Sequence, residues 1–177
     1  TSRVVFAKDI KRSIGIVDDP EIQQQSTVFV SPDAGGAVRA RKFADMFHGD
    51  IAIVDKRRPE AGKSEVMALI GDVQGKHAIL VDDIVDSGGT LCKAAEAIMK
   101  AGALSVRAYI THGVLSGGAV ARISSSPIDS LVSTDSIMAT EAIRVSHNIT
   151  QLTIAPLIAE AMRRISDENS VSSLFEI

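Results

Sequence analysis

Short apolar runs and helical repeats alternate along this chain. Val28-Phe29-Val30 is an apolar run that stops at Ser31-Pro32-Asp33. From about Ala37 to Phe47 the spacing predicts a helix, with Val38, Phe43, Met46 and Phe47 on or near one face. Ile51 to Val54 reads as the next strand, followed by Asp55-Lys56-Arg57-Arg58-Pro59. Pro59 to Ser64 mixes Pro, Gly and charge and predicts a mobile loop. Val66 to Ile70 fits either a strand or a short helix. Ala78 to Val81 is continuously apolar, as a central strand requires. Leu91, Ala94, Ala95, Ile98 and Met99 then recur at helical spacing, and Gly102 supplies a stop.

The second half continues the alternation. Val106 to Ile110 predicts a strand, Gly117 to Ile123 a shorter helix, and Leu131 to Ser133 and Leu152 to Ile154 two further strands. Pro156 stands where a first helical turn tolerates it, and Ile158, Ala161, Met162 and Ile165 carry an amphipathic helix onward. Strand and helix in turn predict an α/β domain: a mostly parallel sheet flanked by helices. In such sheets ligands bind beyond the carboxyl ends of the strands. Asp33, Lys56 to Arg58, Asp82 to Thr90 and Thr111-His112 each follow a predicted strand, so four polar loops are expected on one edge.

Composition narrows the class. The chain has 177 residues, enough for one domain and short for two. Residues are 45% apolar but only 3% aromatic, without Trp, so Val, Ile, Leu and Ala must build the core. The net charge of −3 and the lack of a basic, aromatic-interleaved stripe argue against nucleic acid. The single cysteine, Cys92, excludes an internal disulfide and suits a reducing, cytoplasmic setting. It lies on the apolar face of a predicted helix and reads as a core residue. No stretch reaches the ~18 to 20 apolar residues of a membrane span, and no signal peptide is visible. The chain begins at Thr1 rather than Met, as expected of a processed start or a piece of something longer.

The densest chemistry lies in Val81-Asp82-Asp83-Ile84-Val85-Asp86-Ser87-Gly88-Gly89-Thr90, between a strand and a helix. Gly88 and Gly89 permit a tight turn and close approach of backbone to ligand. Thr90 stands where an N-cap is expected. The exposed amides and dipole of the following helix favour an anion, and Ser87 and Thr90 add hydroxyl donors. Together these make a monophosphate cradle. Asp82 and Asp83, just upstream, suit two vicinal hydroxyls or a divalent metal. A phosphate site beside a diol site describes a sugar phosphate; the bland alternative is a capped βα turn with solvated acids. Asp33, before Gly35-Gly36, is an ordinary turn residue on its own terms. His112 either binds a ligand or braces its loop, bracing being preferred. His48, His77 and His147 read as surface residues, and Arg163 and Arg164 as a solvated helix face.

The Val81 to Thr90 run resembles the PRPP-binding motif of type I phosphoribosyltransferases and PRPP synthetases. Other segments favour the second group: Ser31-Pro32-Asp33-Ala34-Gly35-Gly36, Asp55-Lys56-Arg57-Arg58-Pro59, Ile70-Gly71-Asp72-Val73, Leu91-Cys92-Lys93-Ala94-Ala95-Glu96-Ala97, Thr111-His112-Gly113 and Ser170-Val171-Ser172-Ser173-Leu174-Phe175. From about Val28 onward the chain resembles the C-terminal half of a ribose-phosphate pyrophosphokinase (PRPP synthetase). That resemblance implies a type I phosphoribosyltransferase-like fold and one domain over 1–177 from a two-domain parent, with the 169–177 tail exposed. The implied reaction converts ATP and ribose 5-phosphate to AMP and PRPP. Lys56 and Arg58 are then catalytic, on a flexible loop. Arg58, Asp82, Asp83, Asp86, Ser87, Gly88, Gly89 and Thr90 bind ribose 5-phosphate, and Asp33 helps bind Mg2+. Much of the ATP site belongs to the other half, so this chain alone is expected to be inactive. Assembly as a homo-oligomer, dimer to hexamer, is implied as well. A non-catalytic regulatory homologue and a stand-alone phosphoribosyltransferase are the alternatives. The intact Lys56 and Asp82 to Thr90 motifs oppose the first, and the lack of a base-recognition hood opposes the second.

Overall fold

Alternation of single residues along the central strands decides how this chain folds. Val28 and Val30 point to one face of the sheet and Phe29 to the other, and Ala78 and Leu80 oppose Ile79 and Val81 in the same way. Both sets are buried, so both faces of the sheet need cover. The computed structural model describes residues 2–14, 26–57 and 66–174. Its strands are β1 (Thr27–Ser31), β2 (Asp50–Arg57), β3 (Val66–Ile70), β4 (His77–Val85), β5 (Ser105–Gly113), β6 (Ser130–Thr134) and β7 (Ile149–Leu152). Its α-helices are α1 (Arg3–Ile14), α2 (Ala37–Phe47), α3 (Gly89–Lys100), α4 (Ala119–Ser124), α5 (Glu141–Arg144) and α6 (Ala155–Ser166).

The seven strands form one sheet in the order β3-β2-β1-β4-β5-β6-β7. Neighbours are parallel except β2 and β3, which run antiparallel. Val66 to Ile70 is therefore an edge strand rather than a helix. The chain winds outward in one direction from β1 and in the other from β4. Strand order thus reverses between those two neighbours, and the crevice beyond their carboxyl ends is the expected ligand position in a doubly wound sheet.

One face packs against α1 and α2 through Phe6, Ile10, Phe29, Phe43, Phe47 and Tyr109. Phe29 stacks on Phe43 and Phe47 at centroid distances of 6.0 and 5.5 Å. The other face packs against α3, with Leu91, Cys92, Ala94, Ala95 and Ile98 buried. Cys92 is the core residue expected, and burial pushes its thiol pKa up.

Several expectations change. Helix α2 has the predicted limits but buries Ala40, Phe43, Ala44 and Phe47, leaving Val38 68% exposed. Those four follow the i, i+3, i+4, i+7 rule, which Val38 does not complete. The last strand is Ile149–Leu152 rather than Leu152–Ile154, sharing only Leu152 with the expected segment, because its ladder with β6 pairs Leu131–Thr134 with Ile149–Leu152. Helix α1 has no counterpart in the sequence reading. It is held by the Phe6–Tyr109 edge-on contact, at 5.4 Å, and by the Tyr109 hydroxyl, which donates to Asp9 at 3.0 Å. Burial, with the Asp9 carboxylate adding to it, pushes the Tyr109 pKa up to about 12. Helix α6 is amphipathic but buries no residue completely, and Ile158, Met162 and Ile165 are exposed. Among the described residues no helix is long and apolar enough to cross a membrane.

Candidate functional site

Strand β4 runs past Val81 to Val85, so Asp82 and Asp83 are strand residues rather than loop residues. The parallel ladder with β5 explains the extension: Asp82 pairs with Ile110, Ile84 with His112 and Val85 with Gly113. Asp86 and Ser87 then bend, and Gly88 takes φ of 75°, a left-handed conformation that favours glycine. Gly88 is the N-cap of α3, without a side-chain cap bond, and Thr90 lies inside the first turn. Thr90 is therefore not the N-cap that its place in the sequence predicts. The first amides of α3 have no acceptor within the helix, as at any helix start, and the helix dipole adds positive potential there.

The loop is braced from the segment after β5. The amides of Val114 and Leu115 donate to the Val85 carbonyl at 3.0 and 3.2 Å, and that of Ser116 to the Asp86 carbonyl at 3.1 Å. The Ser116 hydroxyl donates to the Asp86 carboxylate, and Arg122 of α4 donates to the Ser87 carbonyl. With its carboxylate and both carbonyls engaged, the bend is fixed by neighbouring elements as well as by its own glycine.

Asp82 and Asp83 are held by one guanidinium. Arg39 of α2 contacts the Asp82 carboxylate through Nη1 and the Asp83 carboxylate through Nη2, each at 2.7 Å. The Asp83 amide also donates to Asp82 Oδ1, at 2.8 Å. Burial raises the Asp82 pKa to about 6; the nearby Asp83 charge adds to the rise, while the Asp83 amide and Arg39 oppose it. Asp33, beyond β1, accepts from the Gly36 amide at 2.9 Å through Oδ1, so it does hold the turn into α2. Asp33 and residues 82–91 line one cleft of about 330 Å³. The sequence-predicted site residues Asp33, Asp82, Asp83, Asp86, Ser87, Gly88, Gly89 and Thr90 are thus brought together at the β1–β4 reversal.

The remaining candidates are placed differently. Lys56 and Arg57 are backbone members of β2, near its carboxyl end, while Arg58 and the Pro59 to Ser64 loop lie outside the described residues. His112 is on β5, and its Nδ1 hydrogen-bonds the Ser136 hydroxyl at 2.8 Å, a bracing contact. His48 caps α2 with φ of 50°, and His77 opens β4 at the opposite end of that strand from the cleft. His147 is exposed. Arg163 and Arg164 both pair with Glu160 on α6. Among the described residues no group of three or more His, Cys, Asp or Glu could hold a metal.

Residues 58–176 match the family described as the phosphoribosyl synthetase-associated domain. This chain belongs to that family. It is 59% identical over 172 residues to a ribose-phosphate pyrophosphokinase of Granulibacter bethesdensis, covering 97% of this chain and 53% of the relative. A ribose-phosphate pyrophosphokinase of Rhizobium meliloti is 54% identical over 172 residues, with the same coverage of 97% and 53%. The chain therefore spans about half the length of the curated relatives it matches. Among solved structures, a phosphoribosylpyrophosphate synthetase from Mycobacterium smegmatis superposes with a TM-score of 0.80 at 30% identity, over 95% of this chain and 51% of that one. An adenine phosphoribosyl transferase from Trypanosoma brucei shares the fold, with a TM-score of 0.54 at 16% identity over 85% of this chain and 63% of that one.

Within this phosphoribosyl synthetase-family site, the sequence reading missed Arg39, Ser116 and Arg122. The Arg39–Asp82 pair is separated by 43 residues, and an arginine in a helical repeat reads as solvent-facing. Its one signal is position: Arg39 lies in the first turn of the helix that leaves the Asp33 loop. Ser116 and Arg122 flank Gly117 and Gly118, both of positive φ, which mark a shaped turn on the same edge.

Proposed function

We propose that this chain carries the ribose 5-phosphate site of a ribose-phosphate diphosphokinase. In that reaction the sugar's C1 hydroxyl attacks the β-phosphorus of ATP. A new O–Pβ bond forms, the bond from Pβ to the bridging oxygen of the α-phosphate breaks, AMP leaves and the hydroxyl proton is released. The observation that carries the reading is the placement of two adjacent carboxylates directly before an amide-rich, glycine-turned helix start. Amides and hydroxyls at Asp86 to Thr90 would hold the 5-phosphate as a helix N-terminus holds other anions. Asp82 and Asp83, accepting hydrogen bonds, would hold the vicinal hydroxyls of the ring. A cradle and a diol site in that order fix the sugar by both ends, which orients C1 for attack.

Lys56 and Arg58 fill the catalytic role in this reading. Charge builds on phosphate oxygens in the transition state, and preorganised cations are the usual means of stabilising it. Support for Lys56 is its position near the carboxyl end of β2, on the edge that holds the cleft. Mg2+ would accompany ATP and supply further charge neutralisation. Asp33 offers it one carboxylate, which fits an ion that takes most of its ligands from phosphates and water. ATP recognition requires groups beyond these 177 residues, as the half-length match to relatives suggests. The chain would then be one phosphoribosyltransferase-like domain of a larger, cytoplasmic, homo-oligomeric enzyme.

Replacing Lys56 with Ala in the intact gene product tests the assignment. PRPP formation from ATP and ribose 5-phosphate should fall about a hundredfold or more, the usual effect of losing one transition-state charge partner. Ribose 5-phosphate binding should survive. A variant with undiminished turnover would remove Lys56 from catalysis, and an intact product with no PRPP formation would overturn the function itself.

A further inference from the structure

Successive side chains of a strand point to opposite faces of a sheet. Asp82 and Asp83 are consecutive residues of β4, so strand geometry alone sends their carboxylates apart. Both nevertheless meet the same guanidinium, each at 2.7 Å. We propose that Arg39 is a positioning residue of the sugar site: its planar fork, reaching over from α2, draws the two carboxylates together so that both face one diol. The proposal rests on the sugar-phosphate reading above.

Three features support it. The two contacts use different nitrogens, so each carboxylate is bound by its own arm of the fork, an arrangement a lysine ammonium cannot reproduce in the same plane. The Asp82 side chain is 21% exposed and that of Asp83 60%, so one partner is anchored while the other faces the cleft and needs to be held. The path of Arg39 is also kept open. A Cβ at Gly36 would collide with the Ser31 hydroxyl and come within 3.1 Å of Arg39 Nη1. Gly36 is in turn fixed by Asp33, through the bond from its amide to Oδ1. The Asp33 loop, Arg39 and the aspartate pair are therefore one mechanical unit spanning β1 and β4.

Among the described residues the ion pairs of Arg39 are with Asp82 and Asp83 and not with Asp86 to Thr90, so sugar and phosphate recognition should separate. Calorimetric binding to the intact gene product, with ribose 5-phosphate and with inorganic phosphate as probes, reads this out. Arg39→Gln should weaken ribose 5-phosphate by about tenfold or more, the usual consequence of stripping a charge-assisted partner, while phosphate affinity stays within about twofold, roughly the scatter expected for independent sites. Adding Asp83→Asn to Arg39→Gln should cause no further loss beyond the larger single effect. Arg39→Lys, which keeps the charge and loses the fork, should fall between wild type and Arg39→Gln, and carries the test alone if the Gln variant does not fold. The proposal is overturned if Arg39 variants bind ribose 5-phosphate like wild type, or if both probes weaken alike, as a general structural defect would cause. Wild type that fails to bind ribose 5-phosphate would overturn the sugar-phosphate reading, and this proposal with it. Wild-type binding that is indifferent to Arg39 would leave that reading standing.

Discussion

Asp82 is the residue where fold and function pull hardest against each other. Its carboxyl ionises at about 6 in the folded protein, mainly because it is buried, against an ordinary value of about 3.9. In the unfolded chain it therefore loses its proton first as pH rises. Between pH ~4 and ~6 the folded state holds the extra proton, so this group's contribution favours folding at low pH and is lost as pH climbs through 6. Asp82→Asn keeps an oxygen for the Asp83 amide and for Arg39 but removes the charge. At pH 7.5 the variant should be more stable than wild type, by something on the order of 1–3 kcal/mol. The advantage should vanish below pH ~4. Urea denaturation at both values checks this, and a destabilised variant at pH 7.5 would contradict the burial account. The same substitution should weaken ribose 5-phosphate binding, the trade-off expected where a site is held at the expense of stability.

The βα turn from β4 to α3 is the element that does the most at the site, and its glycine can be tested by contrast. Gly88 and Gly75 both have left-handed φ, 75° and 70°. A Cβ at Gly88 would press on Ile123 at 3.3 Å, whereas one at Gly75 meets nothing within 4 Å. Gly75→Ala should cost only the left-handed penalty of about 1–2 kcal/mol. Gly88→Ala should cost more, because Ile123 must also give way, and it alone should lower phosphate affinity. Thermal denaturation with parallel phosphate titration distinguishes the two; equal effects would show that Ile123 does not constrain the turn.

This element was also the most legible in the sequence. An apolar run, a glycine pair and a helical repeat are local signals, and they placed the strand, the glycine turn and the helix after it without tertiary information. What they could not place depends on partners far along the chain. The end of β4 is set by its ladder to Gly113, which carried Asp82 and Asp83 into the strand. Thr90 was displaced from the cap because Gly88 supplies the turn two residues earlier. Helix α1 is secured by Tyr109, about a hundred residues away, as the Asp9 contact records with a separation of 100. Arg39 belongs to the same class: its role exists only once α2 lies over β4.

At the scale of the molecule, a sheet whose order reverses between β1 and β4 explains why loops so distant in sequence share one cleft. It also limits what the chain does alone. The described cleft gathers Asp33 with residues 82–91, and the chain spans about half the length of the relatives it matches. The 177-residue polypeptide should bind ribose 5-phosphate yet form little or no PRPP with ATP, as a coupled assay would report; normal turnover would place a complete ATP site within these residues. In the proposed site the Asp86 to Thr90 amides hold the 5-phosphate. Amide shifts of the isotopically labelled chain, recorded during titration with ribose 5-phosphate and separately with unphosphorylated ribose, test it most directly. The largest shifts should fall at Asp86 to Thr90 with the phosphorylated sugar and be absent there with ribose. Shifts centred elsewhere, or an unresponsive loop in a chain that binds the ligand, would contradict the account.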